Sequence, residues 1–295
     1  MKKGQLGFIL MLIAALGFAI AVILMRVMTQ TMAMPTHEIG IWRYIIAGPV
    51  LWMIGLVRNK KAGFPRNRSF WLIFLGVVFS LSGFSALFAL DRIPSSLYII
   101  ILYFYPSLIV LYSLISHHPV PSLFWLGLPM SLIGLVLTVY QPGQTLVIDL
   151  FGLLMTIINA LAMVVYMILS ERIFKGIEDR FSGTKWVMTG TMLVGTVMIP
   201  IFGLSLPSSS KEWIFLLSYS LFGTLMPILS MNAGLQMIGA ARGSVIATFQ
   251  PVLTILLSLL FLNETLTFQQ WLGGLLVIGS VLLLQLSPDR KMQKS

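Results

Sequence analysis

The sequence predicts an all-α membrane protein, ten transmembrane helices arranged as two inverted five-helix repeats. Three observations predict it: apolar stretches long enough to span a bilayer recur from end to end, basic residues cluster in alternate loops, and the two halves align without gaps. Of 295 residues, 58% are apolar and only 9% are charged, whereas a soluble domain carries about a quarter charged residues. One globular core cannot absorb that much apolar surface. A helix of about 20 residues rising ~1.5 Å per residue spans the ~30 Å hydrocarbon layer.

The first apolar stretch, 5–28, follows Lys2 and Lys3. It exceeds the ~7–15-residue core of a cleaved leader and has no convincing small-residue cleavage site, so it reads as a retained helix. Segments 37–57, 70–90, 95–115 and 122–140 complete the first half. The second half holds 150–171, 185–205, 212–236, 242–262 and 268–287. The expected organisation is a repeat over 1–145, a second over 146–290 and a cytoplasmic tail at 291–295.

Loop charge sets the expected orientation. With the N-terminus inside, fifteen basic residues fall on the inner side (Lys2, Lys3, Arg58, Lys60, Lys61, Arg66, Arg68, Arg172, Lys175, Arg180, Lys185, Arg242, Arg290, Lys291 and Lys294) and two, Arg92 and Lys211, on the outer. That asymmetry predicts a multi-pass cell-membrane protein with both termini cytoplasmic. It also accounts for the net charge of +10 with no nucleic-acid partner. The absence of cysteine removes disulfides, thiolate metal sites and thiol catalysis.

A constant shift of 145 places Gly7 on Gly152, Ala15 on Ala160, Leu90 on Leu235, Ile93 on Ile238, Pro106 on Pro251, Leu114 on Leu259 and Gly134 on Gly279. Five helices per repeat is an odd number, so the second copy enters the membrane from the opposite side. Two similar halves of opposite orientation can exchange conformations and expose a site between them to each side in turn. Duplication in an inert scaffold or an enzyme is the alternative reading.

The run from Phe249-Gln250-Pro251 through twelve residues to Glu264-Thr265-Leu266-Thr267 resembles the signature of the drug/metabolite transporter superfamily, EamA branch. Trp42-Arg43-Tyr44 resembles the start of that family's second helix, and Ala89-Leu90-Asp91-Arg92-Ile93-Pro94 its third-to-fourth helix turn. The resemblance covers both repeats. It departs from the pattern where Glu264 would have its counterpart, at Pro119. The resemblance implies a secondary transporter of a small organic metabolite, with export as the direction.

Several residues within the spans point to function. Pro106 and Pro251 lie near the midpoints of helices 4 and 9, where proline frees a carbonyl and bends the helix; they are expected hinges. Tyr98, Tyr105 and Tyr112 share one face of helix 4, with Tyr105 at cavity depth and the outer two read as belt or packing residues. Asn159, Met163 and Tyr166 share a face of helix 6, and a lipid-facing amide is costly, so that face looks inward. Asn232 and Gln236 share a face of helix 8, with interhelical bonding as the competing explanation. Ser80, Ser82 and Ser85 read as small residues for close helix approach. Tyr105, Asn159, Tyr166 and Gln250 are the expected substrate contacts, in a cavity lined by helices 1, 3, 4, 6, 8 and 9.

Arg43 enters helix 2 at a depth of roughly 10 Å and needs an acceptor. Glu38 and Asp91 lie at the same level, so the three form an expected outer gate; structural pairing and anion binding are the other readings. Glu171 and Glu264 end their helices and read as solvated or capping. His37, His117 and His118 give no metal-ligand spacing, and no zinc-hydrolase, nucleophile-elbow or phosphate-loop motif occurs. No cofactor and no catalytic residue are expected. The rivals to a carrier are an intramembrane enzyme on a lipid-linked substrate and a non-transporting scaffold. The oligomeric state is not legible.

Overall fold

A computed structural model describes residues 3–58, 68–117, 122–139, 149–261 and 267–285. Glu264, Pro119, His118, the repeat boundary at 145/146, the tail, and Lys2, Lys60, Lys61, Arg66, Arg290, Lys291 and Lys294 lie outside the described residues.

The chain is an all-α membrane protein of ten crossings. The first repeat contains α1 (Lys3–Thr31), α2 (Thr36–Val57), α3 (Ser69–Leu90), α4 (Ser95–Leu102), α5 (Tyr105–Ile115) and α6 (Phe124–Val139). The second contains α7 (Leu150–Phe174), α8 (Arg180–Phe202), α9 (Ser210–Ser220), a π-helical turn (Leu221–Leu225), α10 (Met226–Ala247), α11 (Gln250–Phe261) and α12 (Phe268–Gln285). We call the face where α1 begins proximal and the face where it ends distal.

Two crossings are broken at their middles, and proline is the cause. The fourth consists of α4 and α5, separated at Tyr103–Phe104 just ahead of Pro106. The ninth breaks at Thr248–Phe249 just ahead of Pro251. Proline lacks the N–H that would continue the ladder and clashes with the carbonyl one turn back, so the new helix starts with proline in its first turn. The eighth and ninth crossings meet without a loop. Gly239, at φ +81° and ψ 163°, reverses the chain inside α10, a conformation open to glycine at little cost.

The packing repeats the sequence symmetry. α1 lies along α10 as α7 lies along α3, and α6 against α12, while α2 and α8 pair across the pseudo-twofold axis. A Cβ on Gly7 would meet Ile238 Cγ2 at 2.6 Å, and one on Gly152 would meet Ile93 Cγ2 at 2.7 Å. Those two contacts are the same contact moved by 145 positions. At the centre, a Cβ on Gly76 would lie 2.0 Å from the Val187 carbonyl oxygen, and one on Gly190 would lie 2.1 Å from that of Ile73. Small residues therefore let α3 and α8 touch backbone to backbone, which helices in lipid use in place of a hydrophobic drive.

Candidate functional site

A cavity of about 320 Å³ opens between the repeats, within the ~300–1,000 Å³ typical of small-ligand pockets. It runs from the break at Gln250 and Pro251 to the distal end of α3 at Leu90. Its apolar walls include Phe18, Val22, Met25, Phe79, Leu87, Leu102 and Met163. Its polar groups are Arg43, Ser82, Tyr98, Tyr103, Tyr105, Asn159, Tyr219, Gln250 and Thr254. Helices 1, 3, 4, 6, 8 and 9 contribute as expected, and helix 2 adds Arg43.

The polar groups form two chains of hydrogen bonds. In one, Ser82 Oγ donates to Asn159 Oδ1 at 2.5 Å, and Asn159 Nδ2 donates to Tyr98 Oη at 2.6 Å. In the other, Arg43 Nη1 donates to Tyr219 Oη at 3.1 Å. The guanidinium lies 4.6 Å from the Tyr44 ring centre and 5.3 Å from that of Tyr219, so π-faces stabilise a charge that lipid would not.

Of the expected substrate contacts, Tyr105, Asn159 and Gln250 line this cavity and Tyr166 does not. Tyr166 is fully buried deeper along α7, its hydroxyl donating to Asn232 Oδ1 at 2.7 Å. Of the expected hinges, Pro251 lines the cavity, while Pro106 is buried at the start of α5. The expected pairing of Arg43 with Glu38 or Asp91 is not formed. Glu38 accepts the Ser205 hydroxyl at 2.8 Å and its N–H at 3.3 Å, and Asp91 accepts the Thr36 hydroxyl at 3.4 Å. Both carboxylates serve loops at the distal rim, whereas Arg43 lies against tyrosine rings.

Tyr98 is not a belt residue: it is buried and holds the Asn159 amide. Ser82 is likewise more than a spacer. Tyr112 departs from the other two tyrosines of its stripe, accepting a hydrogen bond from Arg172, whose guanidinium lies 5.4 Å from its ring centre.

The proximal half is sealed. Asn232 Oδ1 accepts from Tyr166 and, at 2.9 Å, from Ser170, while its Nδ2 donates to Thr184 Oγ1 at 3.3 Å. Below it, Gln236 donates to the carbonyls of Phe174 and Ile177 and accepts from Arg180 Nε. Glu171 accepts the Ala240 N–H at 2.8 Å, capping the short helix that begins after Gly239. Shifted back by 145, Tyr166, Met167, Ser170 and Asn232 become Ala21, Val22, Met25 and Leu87, all of which line the distal cavity. Related positions are thus filled and hydrogen-bonded on one side, open and apolar on the other.

The model of the EamA-like transporter family matches twice, over residues 5–140 and 150–286. This chain belongs to that family. An uncharacterized inner membrane transporter of Salmonella typhimurium, YicL, is 24% identical over 302 residues, covering 98% of this chain and 97% of the relative. An uncharacterized transporter of Archaeoglobus fulgidus is 24% identical across 72% of this chain and 75% of its own. One from Synechocystis is 28% identical, but the match spans 66% of this chain and 60% of that relative. A solved crystal structure aligns over 96% of this chain with a TM-score of 0.78 at 19% identity, which shows a shared fold. The EamA-like chain is therefore a multi-span membrane transporter with a small-molecule substrate.

Proposed function

We propose that this EamA-like protein is a secondary carrier, without enzymatic activity, that moves a small organic metabolite across the cytoplasmic membrane by alternating access. The observation that carries the reading is the asymmetry between related halves. A cavity between the repeats is open where Ala21, Val22, Met25 and Leu87 stand and closed where Tyr166, Met167, Ser170 and Asn232 stand. Exchange of the two arrangements would close the distal side and open the proximal one.

In this reading the repeats are 1–145 and 146–290, both termini are cytoplasmic, and the open side is external. The breaks before Pro106 and Pro251 are the bending points. Tyr105, Asn159 and Gln250 contact substrate. Arg43, braced by Tyr44 and Tyr219, stands at the outer end in place of the Arg43–Glu38–Asp91 gate. Export rests on the family resemblance. The test is counterflow of labelled amino acids and small aromatic metabolites in liposomes, beside Tyr105→Ala and Gln250→Ala. Protein-dependent counterflow lost in both folded variants supports the reading; counterflow unchanged in both refutes this site.

A further inference from the structure

Deepening the carrier reading, on which it rests, we propose that the cavity selects an organic monoanion, its anionic oxygens held by Arg43 and neighbouring phenol groups and its apolar or aromatic body lying against Phe18, Phe79 and Leu102.

The cavity's chemistry is one-sided. Among its described lining residues Arg43 is the one charged side chain, and none is a carboxylate. The described acidic residues that could neutralise Arg43 at its level, Glu38 and Asp91, are bonded to Ser205 and Thr36. Of the guanidinium's donors, Nη1 reaches Tyr219, and Nε is buried with no hydrogen-bond partner. A charged group removed from water without an acceptor is expensive, and Arg43 is the residue with such an orphan that lines the cavity, where a ligand can supply the acceptor. π-Faces offset part of the charge but accept no N–H in its plane.

The remaining polar groups are biased the same way. Tyr219 Oη accepts from Arg43, and Tyr98 Oη accepts from Asn159. Each phenol has therefore used a lone pair and keeps its proton to donate. Ser82 has spent its proton on Asn159, and Thr254 has spent its own on the Gln250 carbonyl. Four phenols, those of Tyr98, Tyr103, Tyr105 and Tyr219, thus line the cavity beside the Arg43 guanidinium and the Gln250 amide. Such a surface suits carboxylate or another anionic oxygen. A ligand ammonium would meet Arg43 at short range in low dielectric with no carboxylate to balance it.

Isosteric trios test this: indole-3-acetate, indole-3-acetamide and tryptamine, and phenylacetate, phenylacetamide and phenethylamine. Binding to the full-length protein in micelles is measured by calorimetry at neutral pH, with counterflow in liposomes in parallel. The anion is expected to bind tightest in each trio. Arg43→Gln should weaken the anion on the order of tenfold to a hundredfold, as for loss of a charged hydrogen bond, and leave the amide within a few-fold. Arg43→Lys, which keeps the charge, should retain the ranking at lower affinity and decides the matter if the glutamine variant does not fold. Equal or tighter binding of amides or amines, no saturable binding of either anion, or an anion preference intact in Arg43→Gln overturns the proposal. Anion binding without counterflow would sustain this site and defeat the carrier reading. Counterflow of neutral or cationic members with no anion preference would do the reverse.

Discussion

Replacing Asn232 with alanine should tip the protein toward its proximal-open form. Asn232 accepts from Tyr166 and Ser170 and donates to Thr184, joining α7, α8 and α10 on the sealed side. Hydrogen bonds inside bilayers average ~0.6 kcal/mol each by double-mutant cycles. Three lost bonds amount to about 2 kcal/mol, roughly a 30-fold change in an equilibrium constant. The protein has no cysteine, so single-cysteine reporters need no background removed. Val22 is 42% exposed and lines the distal cavity, while Met167, its mate at +145, is fully buried. Maleimide labelling of Met167→Cys from the proximal face should quicken by up to that factor when Asn232→Ala is added. An unchanged labelling rate together with a lowered melting temperature would show that Asn232 only holds the fold, and would refute its role as a seal.

Four further outcomes are expected. Asn159→Leu cuts the link from Ser82 to Tyr98 and should weaken ligand binding several-fold with little loss of helicity, read by calorimetry and circular dichroism. Gly76→Val places a side chain where even a Cβ would lie 2.0 Å from the Val187 carbonyl; it should cost about 1–3 kcal/mol or more, the scale of overpacking, and lower the melting temperature where Gly274→Ala, whose Cβ would meet Val252 Cγ1 at an ordinary 3.7 Å, changes it less. Pro251→Ala restores a backbone donor at the break before α11 and should slow counterflow more than it weakens binding. At the proximal rim, partial burial works against ionisation of Asp179, but the Ser182 hydroxyl and N–H, Arg58 and the Phe181 N–H outweigh it and lower its pKa. A lowered folded-state value means that the ionised form stabilises the fold above the ordinary carboxylate range, a contribution lost as pH falls through the folded value. Asp179→Asn should flatten that acid limb of the melting curve.

Features caused by local chemistry were legible in the sequence. Both helix breaks sit at Pro106 and Pro251 because proline lacks a donor wherever the chain runs. Asn159 was legible as an inward-facing group because an amide in an apolar helix has nowhere else to go. Tyr166 shares that helix face, but seven residues along a helix is roughly 10 Å, enough to pass from the cavity into the sealed half. Helical periodicity assigns a face and is silent about where a cavity ends.

Partners distant in sequence were the illegible part. Arg43 was expected to meet a carboxylate at its own level in the membrane, Glu38 or Asp91. It meets Tyr219 across a separation of 176 residues, and a guanidinium between aromatic rings leaves no signature in spacing. Tyr98 looked like an interface tyrosine because its position near a helix end fits a belt; only the fold shows Asn159 facing it. A turn between spans 212–236 and 242–262 was expected, but that Gly239 alone makes it, without a loop, was not legible because glycine is common in membrane helices. Its structural role appears once Glu171 is seen capping the helix that follows.

Alternating access is the central claim, and a wedge tests it. In a protein carrying both Val22→Cys and Met167→Cys, an impermeant bulky maleimide applied from the distal face alkylates the cysteine at 22 first, and labelling of the cysteine at 167 from the proximal face is then timed. Propping the distal side open should hold the proximal side shut, so the second labelling should slow sharply against an unwedged control. Labelling at 167 that proceeds at the same rate with the wedge in place would mean the two halves open independently, and the exchange of repeats would be wrong.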